Sequence, residues 1–166
     1  MTHSMGTRRY QIREKIFSLG DDFVIKDEEG ISVYNVRSKL LTLGDKLVFE
    51  DMAGNRLYKI EEEYWACIKT FKLISPFNNA TVATVEEQFS CCFPSFSIKS
   101  IYGHYEIDGS IGAYSFKLTK NGKIVATVDK EFFAFSDTYG VEIIETEDPA
   151  FILALVIVLD QICHDD

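Results

Sequence analysis

Ten consecutive apolar residues near the C-terminus, Ala150 to Leu159, constrain the fold more than any other stretch of the chain. The run opens with Glu147-Asp148-Pro149 and meets no polar side chain before Asp160. Asp148 is suited to cap a helix, and Pro149 suits the first helical turn. Glu147 and Asp148 also oppose the positive end of the helix dipole. A helix without a polar face must be surrounded, by lipid or by protein. At 1.5 Å per residue the run spans only about 15 Å, half of what a membrane core requires. Its flanks are acidic, with Glu145, Glu147 and Asp148 before it and Asp165 and Asp166 after it. Membrane spans are flanked by Lys or Arg on one side. The run is therefore expected to be the buried core of its own domain.

The rest of the chain is patterned as short strands. Turn signals such as Gly30, Gly54, Asn78-Asn79 and Asn121-Gly122 recur every 8–12 residues, the spacing of an all-β sandwich or barrel. The first third repeats with a period of 24: Leu19-Gly20-Asp21 through Asp27 to Gly30 and Tyr34 returns as Leu43-Gly44-Asp45 through Asp51 to Gly54 and Tyr58. Each unit is a hairpin that buries its apolar face only against its neighbours. Phe 13, Tyr 8 and Trp 1 supply an aromatic content that favours strands. A meander of about a dozen strands removes its exposed edges by closing. A barrel that wide is not filled by its own side chains, and an apolar helix about 10 Å across fits the space. The expected architecture is mainly β: a closed antiparallel barrel of about twelve strands around the C-terminal helix.

At 166 residues the chain is long enough for one domain with a sizeable core. The domain is expected over residues 9–166, behind a poorly ordered tail at 1–8. Met5 is an alternative start to Met1. A net charge of -9 argues against nucleic acid, whose phosphates need a basic surface, and disfavours anionic phospholipid. The polar opening from Met1 to Thr7 carries no secretory pattern. Cys67, Cys91, Cys92 and Cys163 form no C-x-x-C pair. A cytoplasmic protein with reduced thiols is expected.

Several residues are candidate sites, each with a plainer role beside it. Asp21, Asp45 and Asp137 occupy equivalent turn positions; converging, they would bind a cation, but each is expected to cap its own turn. Cys91-Cys92 has no basic neighbour in sequence to activate a thiol and reads as buried packing. His104 reads as a strand-end surface residue. Cys163-His164-Asp165-Asp166 reads as a solvated helix end rather than a zinc site. Asp160 is expected to be the first helical residue to reach the barrel mouth, because an unpaired buried charge is costly. Asn121-Gly122 and Lys26 to Gly30 read as hairpin tips. There is no Gly-rich phosphate loop, G-x-S-x-G elbow or H-E-x-x-H, so no catalytic, cofactor or metal residue is assigned.

Tyr10 to Asp21, Leu43 to Leu47, Tyr105 to Gly109, Asn121 to Val128 and Glu147 to Asp165 together carry a resemblance. The chain resembles the LURF-one-related (LOR) family, whose domain is similar to the C-terminal domain of Tubby proteins. The resemblance runs from about Arg9 to Asp166. It implies a closed barrel of roughly twelve strands around a central helix, a fold thought to be shared with phospholipid scramblases, and it implies no catalytic residues. Tubby domains bind phosphoinositides through a basic pocket; the Lys and Arg residues here are scattered. Three functions follow as expectations. The first is a non-enzymatic binding or scaffold domain with a protein or small apolar ligand as partner. The second is a peripheral membrane protein binding phospholipid by analogy with Tubby and scramblases. The third is an enzyme with carboxylates at a barrel mouth.

Overall fold

A computed structural model describes residues 6–13, 22–38, 45–65, 68–88, 95–133 and 137–164, with backbone alone at 45, 46, 64 and 65. Twelve strands run in order: β1 Thr7–Arg13, β2 Phe23–Asp27, β3 Ser32–Ser38, β4 Asp45–Asp51, β5 Arg56–Trp65 and β6 Ile68–Ile74. They continue as β7 Thr81–Gln88, β8 Ser95–Ser100, β9 Gly103–Ser110, β10 Ser115–Lys120, β11 Lys123–Asp129 and β12 Thr138–Ile144. Each pairs antiparallel with its sequence neighbours, and β12 pairs with β1 from Ile144↔Thr7 to Thr138↔Arg13, which closes the barrel. The first strand thus starts at Thr7, two residues ahead of the expected domain boundary. Met1 to Met5 of the expected tail lie outside the described residues.

Alternation decides which face turns inward. On β2, Ile25 is fully buried while Val24 and Lys26 are exposed. Ile12, Val36, Phe49, Ile60, Leu73, Val85, Leu118 and Val141 continue the inner layer around the barrel. The axis is occupied by one helix, α1, Pro149–His164, in which every residue from Ala150 to Ile162 is buried. The apolar run is therefore enclosed by protein, as its length and flanks imply. Asp148 caps it: its Oδ1 accepts from the Ala150 N–H at 3.1 Å, and its carbonyl accepts from Ile152 at 3.1 Å. No described helix is long and apolar enough to cross a membrane.

Alternating connections divide the barrel into two rims. The β2–β3, β4–β5, β6–β7, β8–β9 and β10–β11 turns share one end with the start of α1, which we call the proximal rim. The distal rim holds the β9–β10 and β11–β12 connections and the end of α1.

Proximal turns are closed by short polar side chains. Asp27 Oδ1 accepts from the Glu29 and Ile31 N–H groups, and Asp51 Oδ1 accepts from Ala53 and Asn55. The two turns are 24 residues apart and both place glycine at positive φ, Gly30 at 82° and Gly54 at 85°. Only glycine takes that backbone without cost. Of the Leu-Gly-Asp elements, Leu19-Gly20-Asp21 and Leu43-Gly44 lie outside the described residues.

Candidate functional site

At the proximal rim, the strand-to-helix connection carries a buried carboxylate. Glu147 is held by its backbone N–H to Ile144 O at 3.1 Å. Its Oε1 lies 2.5 Å from Lys120 Nζ on β10, and its Oε2 accepts from Tyr105 OH on β9 at 2.8 Å. Lys120 Nζ also sits 5.3 Å above the Tyr105 ring. Three elements distant in sequence thus converge on one carboxylate, and the pairing offsets the cost of burying it.

Around the first turn of α1 runs an arc of aromatic rings. Phe151 meets Tyr102 at 4.9 Å, Tyr105 at 5.8 Å and Tyr58 at 6.2 Å between centroids. The arc continues through Phe49 and Tyr34 to Tyr10. Burial pushes Tyr34 up to about 12, with the neighbouring Tyr10 and the Asp148 charge adding to it. Burial raises Tyr58 and Tyr105 as well, Tyr58 next by the Asp148 charge and Tyr105 next by its hydrogen bond to Glu147. Of these hydroxyls, Tyr58 donates to Asp148 Oδ2 at 3.4 Å and Tyr105 to Glu147.

The distal rim corrects one expectation. Asp160 does not reach the mouth: it is 2% exposed and lies in the closed interior. Tyr139 OH donates to its Oδ2 at 3.1 Å, and Tyr114 gives a further hydrogen bond. His164, one turn on, places Nδ1 3.0 Å from the Asp160 carbonyl oxygen and 2.9 Å from its Oδ1. Nδ1 thus lies within reach of both oxygens of Asp160. Tyr114 stacks between Tyr139 at 4.5 Å and His164 at 4.9 Å, and roofs the carboxylate. Burial raises the Asp160 carboxyl above its usual range, against the lowering effects of Tyr114, His164 and Tyr139. The penalty expected for a buried charge is thus met by three partners that are far apart in sequence or a turn away.

The remaining candidates disperse. His104 is exposed at the start of β9, in register with Lys99, a strand-end position as expected. Cys163 is a free, half-buried thiol whose pKa burial pushes up to about 11, the opposite of activation. His164 is packed under Tyr114 rather than solvated; Asp165 and Asp166 lie outside the described residues. Cys67, Cys91 and Cys92 also lie outside them. Asp45 is the first residue of β4, described as backbone only, and Asp137 is exposed in the turn before β12. Among the described residues no group of three or more His, Cys, Asp or Glu is placed to hold a metal ion. Asn121-Gly122 and Asp27 to Gly30 are hairpin tips, with Asn121 at φ 53°.

Two features escape a reading of local pattern. One is a groove of about 450 Å³ where β1, β2 and β12 meet, lined by Gln11, Arg13, Lys26, Asn35, Asp22 and Asp137 among others. The other is a set of exposed apolar side chains at the proximal turns, led by Phe77 at 90% and Ile101 at 68% exposure. For the second the sequence does carry a signal, as residues out of keeping with their turns: Phe77 follows Pro76, and Ile101-Tyr102 follows Ser100.

A family model described as LURP-one-related, the LOR family, matches residues 8–160. The curated protein YxjI of Bacillus subtilis, which is named as uncharacterised, is 28% identical over 157 residues, covering 95% of this chain and 80% of that protein. A crystal structure of an Arabidopsis thaliana protein superposes with a TM-score of 0.65 at 21% identity, over 95% of this chain and 92% of the other. That likeness is one of fold.

Proposed function

Because the chain belongs to the LURP-one-related family, and because the helix α1 fills its barrel, we infer that it is a non-enzymatic binding domain working through its outer surface, centred on the proximal rim. One observation carries this reading. Six of the eight large hydrophobic side chains exposed among the described residues lie at that rim, on turns that are themselves tightly closed. Their concentration at one end of the barrel supports a contact surface there, since hydrophobic side chains scattered singly over a surface would not. The buried carboxylates at both ends support a structural rather than catalytic role, since each is engaged by the barrel's own donors. A cytoplasmic setting belongs to the same reading, supported by the free Cys163 thiol.

Hydroxyl-radical footprinting tests it. The purified chain is labelled alone and with soluble or membrane fractions of a cell extract. Protection of Met52, Phe77 and Tyr102, with Val24 and Ile68 unchanged, is the expected result. Uniform labelling of the rim under every condition would remove the reading.

The groove favours a second reading, in which Asp22 and Asp137 form a carboxylate site opposed by Arg13 and Lys26. Backbone amide shifts confined to Arg13, Lys26 and Asp137 on adding small polar metabolites would favour it over the rim.

A further inference from the structure

The exposed apolar side chains of the proximal rim are Ile31, Met52, Phe77, Ile101, Tyr102 and Ile124. Five of them sit on four successive strand-to-strand turns of that rim, and Ile124 is the second residue of β11, just past the fifth turn. Phe77 and Ile101 stand on adjacent hairpins, joined where the Ile101 N–H donates to Val82 O at 2.9 Å. The turns that present them are built rather than loose. Asp27 and Asp51 close two of them, Asn78 Oδ1 accepts from Ala80 at 3.0 Å in the third, and Ser100 Oγ accepts from Tyr102 at 3.0 Å in the fourth. In the fifth, Asn121 and Gly122 both take positive φ.

We propose that this rim docks on a lipid–water interface, with its ring of apolar tips entering the boundary between headgroups and acyl chains. The proposal rests on the reading of the rim as the working surface and names its partner. Three observations select lipid. The apolar tips are separate points on successive turns around one barrel end, which is the end that a flat surface lying across the barrel axis would meet. A protein partner needs a contiguous apolar centre, which this ring does not have because α1 begins in the middle of it with exposed Asp148. The side chains are Ile, Met, Phe and Tyr, the types that seat an amphipathic surface in the interfacial zone.

Charge complementarity narrows the lipid. Asp27, Glu28, Glu29 and Asp51 flank Ile31 and Met52, whereas Lys120 and Lys123 flank Ile124. Acid outweighs base around the ring, which opposes anionic headgroups, so attachment is by apolar insertion into a zwitterionic surface. Attraction to anionic headgroups would require a basic ring. Phe77 and Ile101, the two most exposed tips, lie between the acidic and the lysine-bearing arcs and enter first.

The test is flotation of the whole chain with phosphatidylcholine vesicles, with the footprint read on the floated fraction. The expected result is flotation that persists at high salt, protection of Met52, Phe77 and Tyr102, and at least about a tenfold loss of partitioning in the Phe77→Ser/Ile101→Ser double variant. Ile68→Ser, at the distal end, should float like the parent. Circular dichroism of the double variant establishes that it remains folded; single Phe77→Ser serves if it does not. Failure of the folded parent to float overturns the proposal. So does flotation only with phosphatidylserine or phosphoinositide vesicles that salt abolishes. Protection of the rim by a soluble extract fraction, or self-association lost in the double variant, with none by vesicles, overturns the lipid assignment while leaving the rim as a contact surface. An unprotected rim in every condition removes both.

Discussion

The two ends of α1 solve one problem in different ways. At the proximal rim Glu147 is buried against a lysine and a tyrosine, and charge meets charge. At the distal rim Asp160 is buried more deeply, against two tyrosines and a histidine, with its pKa raised by burial. The first pair is set at the lip of the barrel, where Lys120 keeps a quarter of its side chain in solvent. The second is sealed below stacked rings. The difference shows that the proximal end is a finished electrostatic cap from which side chains are free to project. The distal end is a plug whose polar group is enclosed by the barrel's own rings.

The largest effect should erase the contrast altogether. Leu155 lies mid-helix and is fully buried, so Leu155→Asp introduces an unpaired charge at a cost of several kcal/mol. Loss of the cooperative unfolding transition in circular dichroism is expected, and a folded, soluble variant would refute the central position of α1. Next, Phe151→Ala should cost about 3–5 kcal/mol and exceed Ile162→Ala, because Phe151 packs on three tyrosines while Ile162 sits near the helix end. Urea denaturation ranks the two; equal losses would mean that the ends are packed alike.

Lys120→Met removes the charged partner of Glu147 and leaves one hydrogen bond behind. A loss of about 1–3 kcal/mol is expected at neutral pH. Asp160→Asn should have the smallest effect and a distinctive pH dependence. Burial raises the folded-state pKa of Asp160 above its ordinary value, so the native protein holds that proton more tightly than the unfolded chain. The stability this contributes is full below the ordinary carboxylate range and is lost as pH rises through the raised value. Between the two values the loss runs at about 1.4 kcal/mol for each pH step of one. The stability gap between parent and variant should therefore move in favour of Asp160→Asn as pH rises from about 4. A gap that stays constant across the series would show that Asp160 is not raised.

Local patterning made the barrel legible, and long-range packing concealed its sites. Ten uninterrupted apolar residues and an Asp-Pro start specify α1 without reference to anything else. Alternation at Ile25 and its neighbours, and turn residues such as Asp27-Gly30, specify strands and hairpins in the same local manner. Asp160 departs from its expected place because its environment is made by Tyr114 and Tyr139, 46 and 21 residues away, and no pattern links those positions. The Lys120–Tyr105–Glu147 cluster is likewise a product of closure. The apolar tips are visible as letters but read as turns, since the same residues that close a hairpin also determine how far a side chain stands out from it.

Barrel closure by the β1–β12 pairing carries a consequence for how this molecule comes into being. Arg9 and Glu142, which bond at 2.7 Å across that seam, are 133 residues apart in the chain, and the helix that fills the core is synthesised after both. Contacts of such separation slow folding, and a sheet lacking its filling is exposed to aggregation. On the ribosome, the strands would have to wait without a core until α1 emerges from the exit tunnel. Folding of this domain is thus tied to the synthesis of α1, and the same helix that completes the barrel times its assembly.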